Sequence, residues 1–243
     1  MKEKYGLTGN ILKIIAAISM FIDHMGLMFF PGIELFRIIG RIALPIFAFM
    51  IAEGCKYTKN RLRYFLSVFL LAALCQTVYF IYDGDTYMSI LVTFSISILV
   101  IYLMQELKEA LVDGEVNFIV KIFLALLFVF SVLVVYLINQ HLEIDYGFYG
   151  CMLPVFAAVF HKPRKNATRF FEKIDCTYIH IITLCVGMFL LANVTNARQF
   201  WSYLAIPFLL LYSGKRGKAN MKCFFYIFYP LHLVFLEFIG MIF

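Results

Sequence analysis

Long apolar runs separated by short polar segments fill the chain from about residue 10 to its end. A helix that crosses the hydrocarbon core of a bilayer needs about 20 predominantly apolar residues. The runs predict nine spanning helices, at about residues 10–30, 35–55, 64–82, 88–104, 117–138, 147–160, 177–193, 198–212 and 223–242. The sixth and eighth runs are short for a span, so eight spans are the alternative. The pattern therefore predicts an all-α fold, a polytopic membrane helix bundle that forms one domain over residues 1–243.

The composition agrees with this fold class. Hydrophobic residues make up 63% of the 243 residues and charged residues 15%, whereas soluble globular domains carry about 25% charged residues. The net charge is +6, but the basic residues fall between apolar runs, so membrane orientation explains them before nucleic-acid binding does. The six cysteines are scattered without a CxxC pair, and they indicate neither a disulfide framework nor a metal site.

The charged residues of the loops predict the orientation. Basic residues precede span one and follow spans two, four, six and eight, and they are Lys2, Lys4, Lys56, Lys59, Arg61, Arg63, Lys108, Lys162, Arg164, Lys165, Arg169, Lys173, Lys215, Arg216, Lys218 and Lys222. The opposite loops carry the acidic residues Glu34, Asp83, Asp85, Glu143 and Asp145, with Arg37 and Arg198 as exceptions. The positive-inside rule makes the basic loops cytoplasmic, which places the N-terminus inside and the C-terminus outside. Glu53, at the inner end of span two, is interpreted as an interfacial partner of the basic loop that follows it.

Span one contains Lys13 and His24, which are costly inside a bilayer unless they are paired or hydrated. They are eleven positions apart, which returns to nearly the same helix face and separates them by roughly 16 Å along the axis. A neutral histidine can accept a proton near pH 7, as a general base must. The alternative is an anchoring lysine and a hydrogen-bonded structural histidine.

Further charged residues lie near this histidine. Asp23 adjoins His24, and Glu34, Arg37 and Arg41 form one stripe on span two. If spans one and two form an antiparallel hairpin, Arg41 is about as deep in the membrane as Asp23. An Asp23–Arg41 ion pair is then the simplest structural interpretation. In the functional alternative, Arg37 or Arg41 orients His24 or holds an anionic or carbonyl group.

Span nine contains Pro230, which predicts a kink. His232 falls near the middle of this span, beside Tyr226 and Tyr229. The histidine can line a cavity, and the alternative role is interhelical hydrogen bonding. Walker, HExxH and GxSxG motifs are absent from the sequence, so neither ATP-driven transport nor serine hydrolysis is indicated.

Several stretches taken together resemble the TraX family. They are LKIIAAISMFIDHMG (12–26), FRIIGRIALPIFAFMIAEG (36–54), KNRLRYF (59–65), DYGFYG (145–150) and FYIFYPLHLVFL (225–236), and they extend over nearly the whole chain. The family takes its name from a conjugative-plasmid protein that acetylates the N-terminus of pilin. It is grouped with the acyltransferase-three proteins and the lysosomal heparan glucosaminide N-acetyltransferase.

Two features of the sequence determine how far this resemblance extends. Lys13 and His24 match the R/K-x10-H pattern of the acyltransferase-three proteins. An NVLFT-like start of span four is replaced here by SILVTF (89–94), so any role of that asparagine does not carry over.

The resemblance implies a membrane-bound acetyltransferase. Its donor would be cytoplasmic acetyl-CoA or a similar acyl-CoA, and its acceptor an amine or hydroxyl of an extracytoplasmic peptide, glycan or lipid-linked molecule. His24 would be the general base, Arg41, Arg37 or His232 would stabilise the oxyanion, and Asp23 would anchor Arg41. The donor-binding residues implied in this way are Lys13, Lys56, Lys59, Arg61, Arg63 and Tyr229.

Two other classes of protein remain as alternatives. A proton-coupled transporter would use the buried residues Asp23, His24, Arg41 and His232 as a relay. A scaffold or assembly protein would use its polar residues only to join helices. All three classes are expected as multi-pass proteins of the cell membrane, without a metal and without nucleic acid as a partner.

Overall fold

The computed structural model describes residues 6–84 and 87–242, except the side chains of Tyr82, Asp83, Lys222, Cys223 and Ile242. Lys2, Lys4 and Asp85, which entered the predicted orientation, lie outside the described residues. Helices account for most of the described chain, and they are α1 (Gly9–Phe29), α2 (Glu34–Gly40), α3 (Ala43–Tyr57), α4 (Arg61–Asp83), α5 (Ile90–Val112), α6 (Phe118–His141), α7 (Gly147–Ala158), α8 (Arg169–Ile174), α9 (Thr177–Val194), a 3₁₀ helix (Ala197–Ala205), α10 (Ile206–Leu210) and α11 (Lys222–Ile242). The predicted all-α fold is confirmed.

Seven helical segments of the described chain are long and apolar enough to cross a membrane. They are Gly9–Phe29, Glu34–Tyr57, Arg61–Ile81, Ile90–Val112, Phe118–His141, Thr177–Val194 and Phe224–Met241. They correspond to predicted spans one to five, seven and nine. The protein is therefore a multi-pass membrane protein.

The two predicted spans that are short in the sequence are also short in the structure. Predicted span six is α7, whose 12 residues rise about 18 Å against a hydrocarbon core of about 30 Å. Predicted span eight is the 3₁₀ helix followed by α10. Because a 3₁₀ helix rises about 2.0 Å per residue, the two together cover about 25 Å.

Contacts divide the chain into two compact units. The terminal unit comprises residues 1–50 and 188–243, and the central unit comprises residues 51–187. The domain predicted over residues 1–243 stays a prediction.

In the central unit, the two ends of α7 contact loops at opposite ends of α4. After α7, Arg164 donates hydrogen bonds to the carbonyls of Cys55 and Thr58, at 2.9 and 2.8 Å. Before α7, the hydroxyl of Tyr87 donates to Asp145 at 2.8 Å. Because the 23 residues of α4 separate these two levels by about 34 Å, α7 and its flanking loops extend from one face of the unit to the other.

In the terminal unit, the segment formed by the 3₁₀ helix and α10 extends from one end of α1 to the other. The amides of Leu7 and Gly9 donate to the carbonyls of Leu211 and Lys215, at 2.7 and 2.8 Å. At the other end, Arg198 lies 3.0 Å from Glu34, just before α2. The short predicted span eight therefore also joins opposite faces of its unit.

Helices α1 and α11 pack against each other in parallel. Lys13 lies over the ring of Phe225, and Phe21, farther along α1, contacts Phe235, farther along α11. The first and last of nine spans must run in the same direction, and these contacts agree with that requirement. The choice of the cytoplasmic face stays a prediction from the loop charges.

The span predicted at residues 35–55 is interrupted in the structure. Helix α2 ends at Gly40 and α3 begins at Ala43, with a turn at Arg41 and Ile42 between them. The cause is Pro45, because proline has no N–H to donate to the carbonyl four residues earlier and its ring crowds that carbonyl. The predicted span is confirmed as Glu34–Tyr57, and the turn within it places Arg41 at the junction of two helices.

Candidate functional site

Lys13 and His24 both lie on α1, which is one unbroken helix. Thr8 caps its N-terminus by accepting a hydrogen bond from the amide of Ile11, and the helix continues to Phe29. The predicted axial separation of roughly 16 Å between Lys13 and His24 therefore holds. The ammonium of Lys13 lies 5.8 Å from the ring centroid of Phe225 on α11, within the range of a cation–π contact.

His24 and His232 meet between α1 and α11. Their ring centroids are 5.1 Å apart and their planes are inclined by 68°. Nδ1 of His24 lies 2.8 Å from the carbonyl of Met20, and Nδ1 of His232 lies 2.9 Å from the carbonyl of Phe228. Because a carbonyl can only accept, each Nδ1 carries the hydrogen in the neutral ring, and each Nε2 carries a lone pair.

Aromatic side chains surround His232 on α11. The ring of Phe228 stacks on it at 5.0 Å between centroids, and Tyr229 lies 5.7 Å away. His232 is 4% exposed, and its buried Nε2 has no hydrogen-bond partner within the described part of the chain. The structure thus brings Tyr229, predicted to bind the donor, next to a predicted catalytic residue.

Asp23 pairs with both arginines of the second predicted span. Nη2 of Arg41 lies 2.9 and 2.8 Å from the two carboxylate oxygens, and Nη1 of Arg37 lies 2.8 Å from one of them. The predicted Asp23–Arg41 ion pair is confirmed. Gly40 makes this approach possible, because a Cβ atom at that position would overlap the Asp23 carboxylate.

This ion-pair cluster carries more positive than negative charge. Two guanidinium groups share the single carboxylate of Asp23, and the arginine side chains are 21% exposed at Arg37 and 10% at Arg41. Charge that is fixed in place in a water-poor environment stabilises an anion more strongly than the same charge does in water. The cluster can therefore stabilise negative charge that develops near His24.

Gln199 completes the cluster and was missed in the sequence. It lies in the 3₁₀ helix, is 1% exposed and accepts a hydrogen bond from Nη1 of Arg41 at 3.4 Å. Its amide nitrogen has no hydrogen-bond partner in the described regions. Because Gln199 is distant in sequence from Arg41 and stands at the start of a short span, no helical spacing connects them.

Lys56, in the last turn of α3, and Lys59, in the loop that follows, differ in their environment within the central unit. Lys56 forms an ion pair with Asp175, with 2.6 Å between Nζ and Oδ1. Burial by itself would raise the pKa of the Asp175 carboxyl, but the contacts with His180 and Lys56 outweigh it and hold that pKa well below its usual range. Lys59 is exposed. Donor binding by Lys56 and Lys59 stays a prediction.

Arg61 and Arg63, which follow in the chain, also differ from each other in their ion pairs and exposure. Arg61 forms ion pairs with Glu106 and Glu109 on α5, the latter at 3.1 Å, whereas Arg63 is exposed. Arg61 therefore joins α4 to α5, and Arg63 keeps a solvent-facing charge. Their predicted part in donor binding is likewise a prediction.

A second group of ionisable residues in the central unit was not predicted as a site. Glu53, His161 and His180 each offer a ligand atom, and these atoms lie within 4.8 Å of one another. Burial, followed by the neighbouring His180, lowers the pKa of His161 well below its usual value. Glu53 is 5% exposed, and its interpretation as a partner of the basic loop stays a prediction. The available signal was topological, because all three residues lie near the ends of predicted spans at the predicted inner face.

The fold and the site define a multi-pass α-helical membrane protein with a histidine pair beside a buried ion-pair cluster. The chain belongs to the TraX family, whose model, described as TraX protein, matches residues 8–240.

The chain is also similar to two curated proteins. It is 25% identical over 262 residues to the probable fimbrial assembly protein FimC, serogroup H1, of Dichelobacter nodosus, covering 93% of this chain and 92% of the relative. A stretch of 40 residues is 52% identical to part of an uncharacterized protein of Rickettsia prowazekii (strain Madrid E). The stretch covers 16% of this chain and 16% of the relative. No solved structure matches the chain significantly.

Proposed function

We propose that this protein is an acyltransferase of the cell membrane. It moves an acetyl or similar acyl group from a cytoplasmic CoA thioester to an amine or hydroxyl on the opposite side. The observation that supports this most is the arrangement on α1, where a cation and an imidazole with a lone pair on Nε2 stand roughly 16 Å apart. An extended pantetheine arm has about this length, so phosphates near Lys13 would place the thioester near His24.

The proposed reaction is a direct transfer. Nε2 of His24 takes the proton of the acceptor while the acceptor nitrogen or oxygen attacks the thioester carbonyl. The tetrahedral intermediate then breaks its carbon–sulfur bond, and the imidazolium of His24 returns the proton to the departing CoA sulfur. The products are the acylated acceptor and free CoA, and the histidine ends in its starting state.

The net positive cluster of Asp23, Arg37 and Arg41 is the better candidate for stabilising the oxyanion. His232, with its hydrogen on Nδ1, presents a lone pair on Nε2 and so accepts a hydrogen bond rather than donating one. That geometry suits an acceptor N–H or O–H, or the protonated His24. We therefore assign the oxyanion to the arginines and acceptor positioning to His232.

The relative from Dichelobacter nodosus supports an exported protein as acceptor. Its name describes a probable fimbrial assembly protein, and the TraX resemblance implies acetylation of a pilin N-terminus. We propose the N-terminal amine of an exported, pilus-type subunit as the acceptor. An envelope glycan or a lipid-linked sugar is the alternative acceptor.

The proposal is tested with purified protein in proteoliposomes that receive acetyl-CoA labelled in the acetyl group and a cell-envelope extract as the acceptor source. We expect labelled product from the native chain and a loss of about 10²- to 10⁴-fold in His24→Ala, as is usual when a general base is removed. His141→Ala is the matched control, because His141 is exposed at the end of α6. Unchanged transfer in a folded His24→Ala protein would contradict the assignment.

A proton-coupled transporter remains the second candidate, since Asp23, His24, Arg41 and His232 all lie in the terminal unit. Two contacts link them in pairs, Asp23 with Arg41 and His24 with His232. Vesicles loaded with a pH-sensitive dye distinguish the two functions. Proton flux without any CoA-dependent product would favour transport, and product formation without flux would favour the enzyme.

A further inference from the structure

The central unit contains a buried polar cluster that takes no part in the proposed acyl transfer. Glu53 near the end of α3, His161 just after α7 and His180 in the first turn of α9 converge at one place. Their exposed fractions are 5%, 1% and 1%. Three separate segments thus deliver nitrogen and carboxylate donors to one buried point.

His161 carries two buried ring nitrogen atoms without hydrogen bonds. Neither ring nitrogen of His161 has a hydrogen-bond partner among the residues that the structure describes, whereas Nε2 of His180 lies 3.1 Å from Oδ1 of Asp175. A buried polar atom without a partner is destabilising, and native proteins seldom leave one so. An ion bound by one nitrogen of each ring would satisfy one of the two nitrogens of His161, and the ring centroids of His161 and His180 are only 4.4 Å apart.

The spacing between His161 and Glu53 fits a small cation of low coordination number. Ligands bind zinc at about 2.0–2.1 Å, so two neighbouring ligands on a tetrahedral ion stand roughly 3.3 Å apart. Nε2 of His161 lies 3.7 Å from Oε1 of Glu53. A contraction of a few tenths of an ångström would bring these two atoms to that spacing.

The electrostatic surroundings also suit a divalent cation. The ammonium of Lys56 is neutralised by Asp175, with 2.6 Å between Nζ and Oδ1. Lys108 donates to the carbonyls of Ala158 and His161, at 3.0 and 3.3 Å, so its charge faces backbone oxygens. Glu53 then supplies a negative charge at the cluster itself.

We propose that Glu53, His161 and His180 bind Zn²⁺. Two imidazoles and one carboxylate form a donor set typical of zinc, whereas Mg²⁺ and Ca²⁺ require six or more ligands that are mainly oxygen. The ion ties α3, the segment after α7 and α9 together at the predicted inner face. The proposed zinc site differs from the expectation, drawn from the sequence, that the protein binds no metal.

The test begins with full-length protein purified through a tag that contains no histidine. The protein is treated with a chelator, given Zn²⁺ or Co²⁺ and passed over a desalting column. We expect one retained metal ion per chain by mass spectrometry, and with Co²⁺ the intense visible bands of a tetrahedral complex, which Zn²⁺ removes. Substoichiometric metal in folded native protein would overturn the proposal.

Three variants locate the ion. Glu53→Gln keeps the shape of the side chain, and His161→Ala and His180→Ala each remove a ligand. We expect each to weaken Co²⁺ binding by at least about tenfold, since even indirect changes at metal sites have effects of this size. Zn²⁺ should raise the melting temperature of the native protein but not of the variants.

His141→Ala is the control and should bind as the native protein does, because this histidine is exposed. Native-like metal binding in all three folded variants would contradict the proposal. Loss of binding in His24→Ala with His232→Ala, but not in the three variants, would place the ion at the other histidine pair and would also contradict it.

Discussion

At the scale of single residues, Asp23 holds together the polar part of the candidate site. Its carboxylate contacts Arg37 and Arg41, and Arg41 in turn contacts Gln199. Removing one charge from a buried ion-pair network is more damaging than replacing the whole network, because the remaining charges lose their partner. The stability of the terminal unit should therefore depend strongly on this one side chain.

We expect Asp23→Asn to lower the free energy of unfolding by about 3–5 kcal/mol, because two guanidinium groups would lose their counter-charge. Unfolding in detergent, followed by circular dichroism, measures the change. Glu34→Gln is the matched control, since the Glu34 side chain is 71% exposed in its ion pair with Arg198. Exposed pairs contribute about 0–1 kcal/mol, so equal effects of the two substitutions would argue against a structural ion-pair cluster.

Gly40 offers a steric test of the same cluster. A methyl group at Gly40 would overlap the Asp23 carboxylate, so Gly40→Ala should displace Asp23 and destabilise the protein by about 1–3 kcal/mol. Gly32→Ala serves as the control, because no atom lies within 4 Å of a Cβ at Gly32. Thermal melts of the two variants give the comparison. A native-like melting temperature for Gly40→Ala would show that α1 and α2 do not approach as closely as described.

At the scale of elements, α1 carries both the residue that is proposed to bind the donor and the residue that is proposed to act in the transfer step. Lys13 and His24 share one unbroken helix, so their separation changes little unless the helix itself bends. The proposed function therefore predicts that substitutions at the two ends of α1 change different kinetic parameters. Lys13 belongs to donor binding, and His24 belongs to the transfer step.

We expect Lys13→Ala to raise KM for acetyl-CoA by about tenfold, the equivalent of about 1.4 kcal/mol of binding free energy. The value of kcat should change little, since the reacting atoms lie near His24. Lys13→Arg keeps the positive charge and should recover most of the affinity. An effect confined to the KM of the acceptor would contradict donor binding by Lys13.

The limits of sequence-based prediction are clearest at this scale. The long spans follow from apolar length alone, and the Asp23–Arg41 pair follows from equal depth in a helical hairpin. The turn at Arg41 also had a local cause, Pro45, which lies inside an apolar run and so does not interrupt the hydropathy. By contrast, Gln199 reaches the cluster only through tertiary packing. The meeting of Glu53 with His161 and His180 depends in the same way on packing between distant segments.

At the scale of the whole molecule, the account depends on nine crossings with the basic loops inside. Helix α7 is the critical element, since its 12 residues are short for a span. If α7 crosses, the exposed residues Glu143 and Lys165 lie on opposite sides of the membrane. If it does not, they lie on the same side.

Cysteine labelling in intact cells tests this topology. In a background without native cysteines, Glu143→Cys should react with a membrane-impermeant maleimide added outside. Lys165→Cys should react only after the membrane is opened, because the positive-inside rule assigns its loop to the cytoplasm. Equal labelling of both positions from outside would remove α7 from the set of crossings and would place the basic loop on the wrong side.

The proposed function requires that a CoA thioester reaches His24 from the side of Lys13. A cryo-electron microscopy map of the protein with a non-hydrolysable acetyl-CoA analogue tests it most directly. We predict phosphate density next to Lys13 and the thioester carbonyl carbon within about 6 Å of Nε2 of His24, which is the sum of a hydrogen bond and a near-attack distance. An analogue bound with its acyl end away from His24, or with its phosphates at the opposite face, would contradict the account.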